Sequence, residues 1–188
     1  MRDFLAIPLP DRLRLAAAAS TDVLAPRGDG WRFVRQEGLH LTLRFLGEVD
    51  PSRRGVLDAA WREAVSGTGL LALRFRGAAF FPATGRPRVL WLGVEDETLD
   101  GSLALLAERI ERAARAQGFP PEGRPFAAHV TLARARGDGR VVRPPIARIG
   151  DLGAFGADRV VLYRSEPDRG GSRYHEQASY PLITTAAS

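Results

Sequence analysis

Two short stretches of this sequence share a pattern suited to proton transfer: His40-Leu41-Thr42-Leu43 and His129-Val130-Thr131-Leu132. They use two of the three histidines in 188 residues. An imidazole titrates at about pH 6.5, so of two sharing a cavity one can carry a proton while the other accepts one. In extended backbone, residues two apart project to one face, roughly 6.5–7 Å apart along the strand. Each His and its Thr therefore point together, while Leu39, Leu41, Leu43 and Phe45, and likewise Val130 and Leu132, take the opposite face. If the two strands lie side by side, two imidazoles and two hydroxyls line one hollow. For a phosphodiester this is a kit for in-line displacement without a metal: one His removes a proton from water, the other protonates the leaving oxygen, and the hydroxyls donate to the charged transition state. Either stretch alone reads as an ordinary polar strand face. The repetition argues for chemistry.

Composition removes most competing chemistries. There is no cysteine, hence no disulfide framework, thiol nucleophile or thiolate zinc site. There is no lysine either, so all 27 basic residues are arginine, and phosphate loops of the Walker type, Schiff bases and lysyl-nucleotide intermediates are excluded. A net charge of +5 favours an anionic partner, and guanidinium forks can grip phosphate with two hydrogen bonds. No apolar run approaches the ~18 residues of a membrane span, and the apolar stretch in Met1 to Pro10 is short for a secretory signal. The expectation is a soluble, cytoplasmic protein with one domain over residues 1–188.

The elements that must position the two motifs read as short strands mixed with helices. Phe4 to Leu9 alternates as a first strand, and Pro10-Asp11 opens an alanine-rich helix to about Leu24, closed by a turn over 27–30. Strands follow at Trp31 to Val34 and Leu39 to Leu46. Asp50 and Pro51 then start a second helix with Val56, Leu57, Ala60, Trp61, Ala64 and Val65 as its apolar face. Leu70 to Phe75 and Val89 to Val94 read as strands around a loop over 80–88. A third helix uses Leu103, Leu106, Ala107, Ile110 and Ala114 and stops at Gly118. Four further strands are expected at Ala128 to Ala133, Leu152 to Phe155, Arg159 to Arg164 and Tyr174 to Tyr180. The absence of strict alternation favours an antiparallel α+β fold over a doubly wound parallel sheet.

Other residues offer weaker signals. Arg44 shares the ideal-strand face of His40 and Thr42, with a solvated surface charge as the competing expectation. Phe81, in a loop flanked by Pro and Gly, is placed to stack a nucleobase, with core burial as the alternative. Arg86 and Arg88 lie in the same loop and could meet a phosphate backbone, with simple solvation as the competing expectation. His175 has Gln177 where the other histidines have Thr, and reads as a hairpin residue; only convergence with His40 and His129 would make a zinc site.

The chain resembles the 2H phosphoesterase family, and within it the RNA 2′,3′-cyclic phosphodiesterase (2′-5′ RNA ligase) branch. The resemblance runs through FLAIPLP, LHLTLRFLGEV (39–49), FPATGRPRVLWLGV (81–94), GFPPEGRPFAAHVTLAR (118–134) and VVLYRSEPDRGGSRYHEQASYPL (160–182). It implies a bilobal fold of two pseudo-symmetric antiparallel sheets backed by helices around a central cleft. His40 would be the proton donor to the 3′ oxygen and His129 the acceptor from water, giving a 2′-phosphate, with Thr42 and Thr131 on the phosphate oxygens. It makes Arg134 the best substrate-binding arginine, although five residues from His129 it falls on the far face of an ideal strand and needs a bend. Tyr174 and Ser165 would shape the cleft. The implied partner is an RNA or oligonucleotide with a 2′,3′-cyclic phosphate end, met by a monomer with no cofactor, no metal and no membrane. Joining such an end to a 5′-hydroxyl is a related capability. Two positions depart from the branch: Ala128, where Pro commonly precedes the second motif, and Pro167, where Leu often follows Ser-Glu. Alternatives from other classes are a non-catalytic RNA-binding module, a metal-dependent hydrolase, and a phosphodiesterase for a small cyclic nucleotide.

Overall fold

A computed structural model describes residues 1–22, 30–98, 101–137, 139–146, 149, 151–168 and 171–183. In chain order the elements are β1 (Arg2–Pro8), α1 (Asp11–Asp22), β2 (Trp31–Phe33), β3 (His40–Gly47), α2 (Arg54–Val65), β4 (Leu71–Phe81), β5 (Val89–Asp96), α3 (Ser102–Ala116), β6 (His129–Ala135), β7 (Ala154–Ala157), β8 (Arg159–Asp168) and β9 (Gly171–Pro181). The expected end of the first helix at Leu24 and most of the turn after it lie outside the described residues.

The strands pair antiparallel in the order β7-β4-β5-β6-β3-β1-β8-β9, with β2 attached to β6. The two expected sheets are the two halves of this array, β4 to β7 and β1, β3, β8, β9. They are stitched into one sheet by a single bridging pair, Leu41 opposite Val130. The halves share a motif: β1-α1-β3 in one and β5-α3-β6 in the other, each an antiparallel pair joined through a helix. Each of these helices also reaches across the seam, α1 to β6 and α3 to β3.

Local sequence explains the helices. Asp50 caps a short turn at Pro51–Arg53 by accepting the Ser52 N–H at 2.9 Å, and α2 follows directly. Asp96, at the end of β5, accepts the Leu103 N–H at 2.8 Å and so places a carboxylate at the start of α3. Gly118 adopts φ +83° just past the end of α3. The apolar stripe of α3 is buried as the periodicity requires. On α2, Leu57, Trp61, Ala64 and Val65 are buried, but Val56 is exposed, because the helix is rotated to press Leu57 and Trp61 inward.

Four strands differ from expectation: the last hairpin is longer, with β8 running to Asp168 and β9 starting at Gly171, and β4 and β7 have shifted ends. β4 continues to Phe81 because Gly77, at φ +57°, absorbs a bulge between Arg76 and Ala78 while pairing with β5 goes on. β7 starts at Ala154 because Asp151 accepts the Gly153 N–H at 2.8 Å, holding 151–153 in a turn.

The helices cover the face carrying Leu41, Leu43, Val130 and Leu132, all in the core. The other face is concave: β9 lies three strands from β3, about 14 Å in a flat sheet, yet the Tyr174 and His40 ring centroids are 5.1 Å apart. Among the described residues no helix is long and apolar enough to cross a membrane. Because the two halves meet at one pair and Leu41 is fully buried, Leu41→Ala is expected to lower the unfolding free energy by about 2–5 kcal/mol, read from denaturant titration.

Candidate active site

The Leu41–Val130 register sets the geometry of the concave face. In an antiparallel pair the flanking residues fall opposite one another, so His40 faces Thr131 and Thr42 faces His129. The four side chains form a square, with the two histidines on its diagonal, about 7–8 Å apart at the backbone. All four are half-buried, whereas the Leu and Val between them are fully buried on the helix side.

Both imidazoles are held by the same device. Nδ1 of His40 lies 2.8 Å from the Gly38 carbonyl, and Nδ1 of His129 lies 2.7 Å from the Ala127 carbonyl. A carbonyl only accepts, so each Nδ1 carries the hydrogen and each Nε2 is left to face the hollow. Gly38 is itself buried, and a side chain there would meet Tyr174 and Val34 at 3.1 Å. Opposite His129 in β5 stands Gly93, where a Cβ would come within 2.6 Å of the Arg76 carbonyl.

The surroundings of the two rings differ. Phe4 stacks on His40 with centroids 4.7 Å apart, Tyr174 meets it edge-on, and Tyr163 closes the wall at 6.2 Å. His129 touches one ring, the edge-on Trp91 at 5.7 Å, and its carbonyl partner Ala127 is exposed. Burial in its aromatic wall pushes the His40 pKa down to about 4 against the pull of the Gly38 carbonyl; the charges of Arg134 and His129 push the same way. His40 is therefore neutral near pH 7 in the free protein.

A bulge follows each Thr. Between β1 and β3 the register skips Leu43, and between β5 and β6 it skips Leu132. The bend that Arg134 needed is present: its exposed side chain returns to the cleft face, where its charge acts on His40. The same bend corrects the expectation for Arg44. It is turned to the helix side and is 5% exposed. There its Nε lies 2.6 Å from a Glu111 carboxylate oxygen. Its Nη1 donates to Glu122 at 2.6 Å and to the Phe45 carbonyl at 2.7 Å, and Nη2 donates to the Pro120 carbonyl. It holds α3 and the following loop onto β3 and has no place at the cleft. Phe45 takes the cleft face instead, 53% exposed and 5.8 Å from Phe4.

Phe81 pairs with Val89, which pairs with Arg134, so Phe81 lies on the cleft face two strands from β6. It is 43% exposed, with the Arg124 guanidinium 4.3 Å from its ring centroid. Core burial, the competing expectation, is not what the structure shows. Arg86 is not brought into the square: its Nε donates to the Gly139 carbonyl at 3.1 Å and Nη2 to the Gly137 carbonyl at 2.5 Å, tying the β4–β5 turn to the loop after β6. His175 follows Tyr174 on β9 and so points away from the cleft, 3.3 Å from Glu166. The three histidines do not converge, and among the described residues no group of three His, Asp or Glu is placed to hold a metal ion. Phe4, Tyr163 and Trp91 also line the site, and nothing in the sequence distinguishes them from ordinary strand aromatics.

The chain matches the family model for LigT-like phosphoesterases over residues 7–91 and 93–174, and each stretch contains one His-x-Thr motif. A relative from Methanothermobacter thermautotrophicus named RNA 2′,3′-cyclic phosphodiesterase is 31% identical over 97% of this chain and 99% of its own. One of the same name from Geobacillus stearothermophilus is 28% identical over 96% of this chain, which spans 57% of that relative's length. A crystal structure of a protein from Thermus thermophilus superposes with TM-score 0.80 at 30% identity, covering 97% of this chain and 98% of that one.

In NMR titration the His40 ring is expected to titrate near pH 4, and Arg134→Gln, which removes a nearby positive charge, should move that value upward. Unfolded His binds its proton near pH 6.5, so the unfolded chain takes up more protons as pH falls through the interval to 4. Stability drops there, by roughly 3 kcal/mol once pH is below 4, a loss that His40→Phe should remove. Separately, Arg44→Met leaves the partly solvated Glu111 and Glu122 without their shared cation and should cost about 1–3 kcal/mol in calorimetry.

Proposed function

The chain belongs to the family of LigT-like phosphoesterases, and from that premise we propose that it is an RNA 2′,3′-cyclic phosphodiesterase working by paired histidine acid–base catalysis. The observation that carries this reading is the square of His40, Thr42, His129 and Thr131 on one concave face. Two relatives of that name support it, at 31% and 28% identity over nearly the whole chain.

The two sides of the square suggest how the work divides. His129, on the open side, has its Nε2 free to accept a proton from water as the water attacks phosphorus. His40 lies within the aromatic wall, and its Nε2–H, once charged, protonates the 3′ oxygen as the P–O3′ bond breaks, leaving a 2′-phosphate. Thr42, Thr131 and Arg134 donate to the equatorial oxygens, where negative charge gathers. In the free protein His40 is neutral, so its proton must arrive with the substrate: the phosphate anion favours the charged imidazole and offsets Arg134. A 5′-hydroxyl in place of water would form a 2′–5′ linkage by the same transfers.

The test is incubation of the chelator-treated protein with an oligonucleotide ending in a 2′,3′-cyclic phosphate. A 2′-phosphate product is expected, and His40→Ala and His129→Ala should each lower kcat by about 10²–10⁴. Binding without turnover would mark a binding module instead, and full activity in either variant would reject the reading.

A further inference from the structure

β2 is three residues long and pairs with the outer end of β6, placing Arg32 directly opposite Arg134. Trp31, before it, is buried in the core, so Arg32 points to the concave face that Arg134 shares. Partners in such a pair have Cβ atoms about 5 Å apart, and like charges there destabilise the sheet. Both residues are exposed, and among the described residues neither guanidinium forms an ion pair or donates a hydrogen bond. Elsewhere on the sheet Arg74, Arg76 and Arg164 each find a carboxylate. Two unneutralised forks held side by side at the mouth of an anion-binding hollow are a site for an anion.

That anion is not the reacting phosphate alone. Arg134 lies close enough to the square for His40 to feel its charge. Arg32 is displaced outward by one more strand, about 4.8 Å, and a single cyclic phosphate seated between His40 and His129 leaves its fork unused. We propose that Arg32, together with Arg134, forms a second phosphate subsite, which takes the phosphodiester adjoining the terminal nucleotide. The site thereby selects the end of a polynucleotide over a mononucleoside cyclic phosphate. This rests on the phosphodiesterase reading and adds to it the residues that tell a polynucleotide end from a mononucleoside.

The experiment compares kcat/KM for a short oligonucleotide with a 2′,3′-cyclic phosphate end and for a nucleoside 2′,3′-cyclic phosphate carrying no other phosphate, in the starting protein and in Arg32→Gln, across a salt series. The starting protein should prefer the oligonucleotide. Arg32→Gln should reduce that preference about tenfold, as expected for loss of one charge-assisted contact, and flatten the salt dependence on the oligonucleotide by about 0.7 in log–log slope. Its melting temperature should not fall, since a like-charge pair is relieved. An equal loss on both substrates, no loss on either, or a melting temperature several degrees lower would overturn the subsite. If the starting protein turns over neither substrate, the phosphodiesterase reading fails. The subsite is then judged by fluorescence anisotropy with an oligonucleotide ending in a 2′-phosphate, where an unchanged affinity and salt slope in Arg32→Gln would sink it.

Discussion

The site depends on one backbone register, Leu41 against Val130. Side chains alternate along a strand, so this pair decides that both His-x-Thr motifs present their polar residues to the same face and their apolar residues to the other. A slip of one residue would drive one imidazole into the helix layer. The register is guarded from the apolar side. Leu41 and Val130 are fully buried, and the crossing of α1 to β6 and of α3 to β3 presses each helix on the other half's strand. Packing energy on one side of the sheet thus becomes positional accuracy on the other.

The two bulges build a second layer of the site from the same symmetry and break it chemically. Each follows its Thr and reverses the alternation of the next residues. In β6 this sends Ala133 to the core and Arg134 to the cleft. In β3 it sends Arg44 inward, onto the carboxylates of Glu111 and Glu122, and Phe45 outward. One backbone device used twice leaves one rim cationic and the other aromatic, the combination that a phosphate attached to a nucleoside calls for.

What was legible in the sequence was what strand and helix periodicity encodes. The His/Thr pairs, the buried stripe of α3 and the Asp50 cap follow from spacing and residue type, and the structure shows them in place. The bulges were not legible, because Leu-Arg and Leu-Ala carry no glycine or asparagine to announce them; pairing with β1 and β5 imposes them. Simple alternation therefore puts Arg44 on the wrong face, and its acidic partners lie far along the chain. Arg32 carries no signal in the sequence, since a three-residue strand says nothing until its register with Arg134 is known. Phe4 and Trp91 matter only because the sheet curls, which is a property of the whole array.

The unequal environments of the two histidines resolve an apparent conflict. A group whose pKa is held near 4 is poorly protonated at neutral pH, and at first sight His40 suits the proposed role of proton donor badly. Every influence that lowers that pKa, however, answers to the ligand. The charges of Arg134 and His129 bear on His40 unopposed only while no anion sits between them, and the wall of Phe4, Tyr163 and Tyr174 that penalises an isolated cation also strengthens its attraction to a phosphate. Binding an anion in the square therefore reverses the electrostatic balance and draws the proton in with it. On the proposed division of work, His40 then carries its charge when a leaving oxygen is present to receive the proton, while His129 sits on the more open side of the cleft.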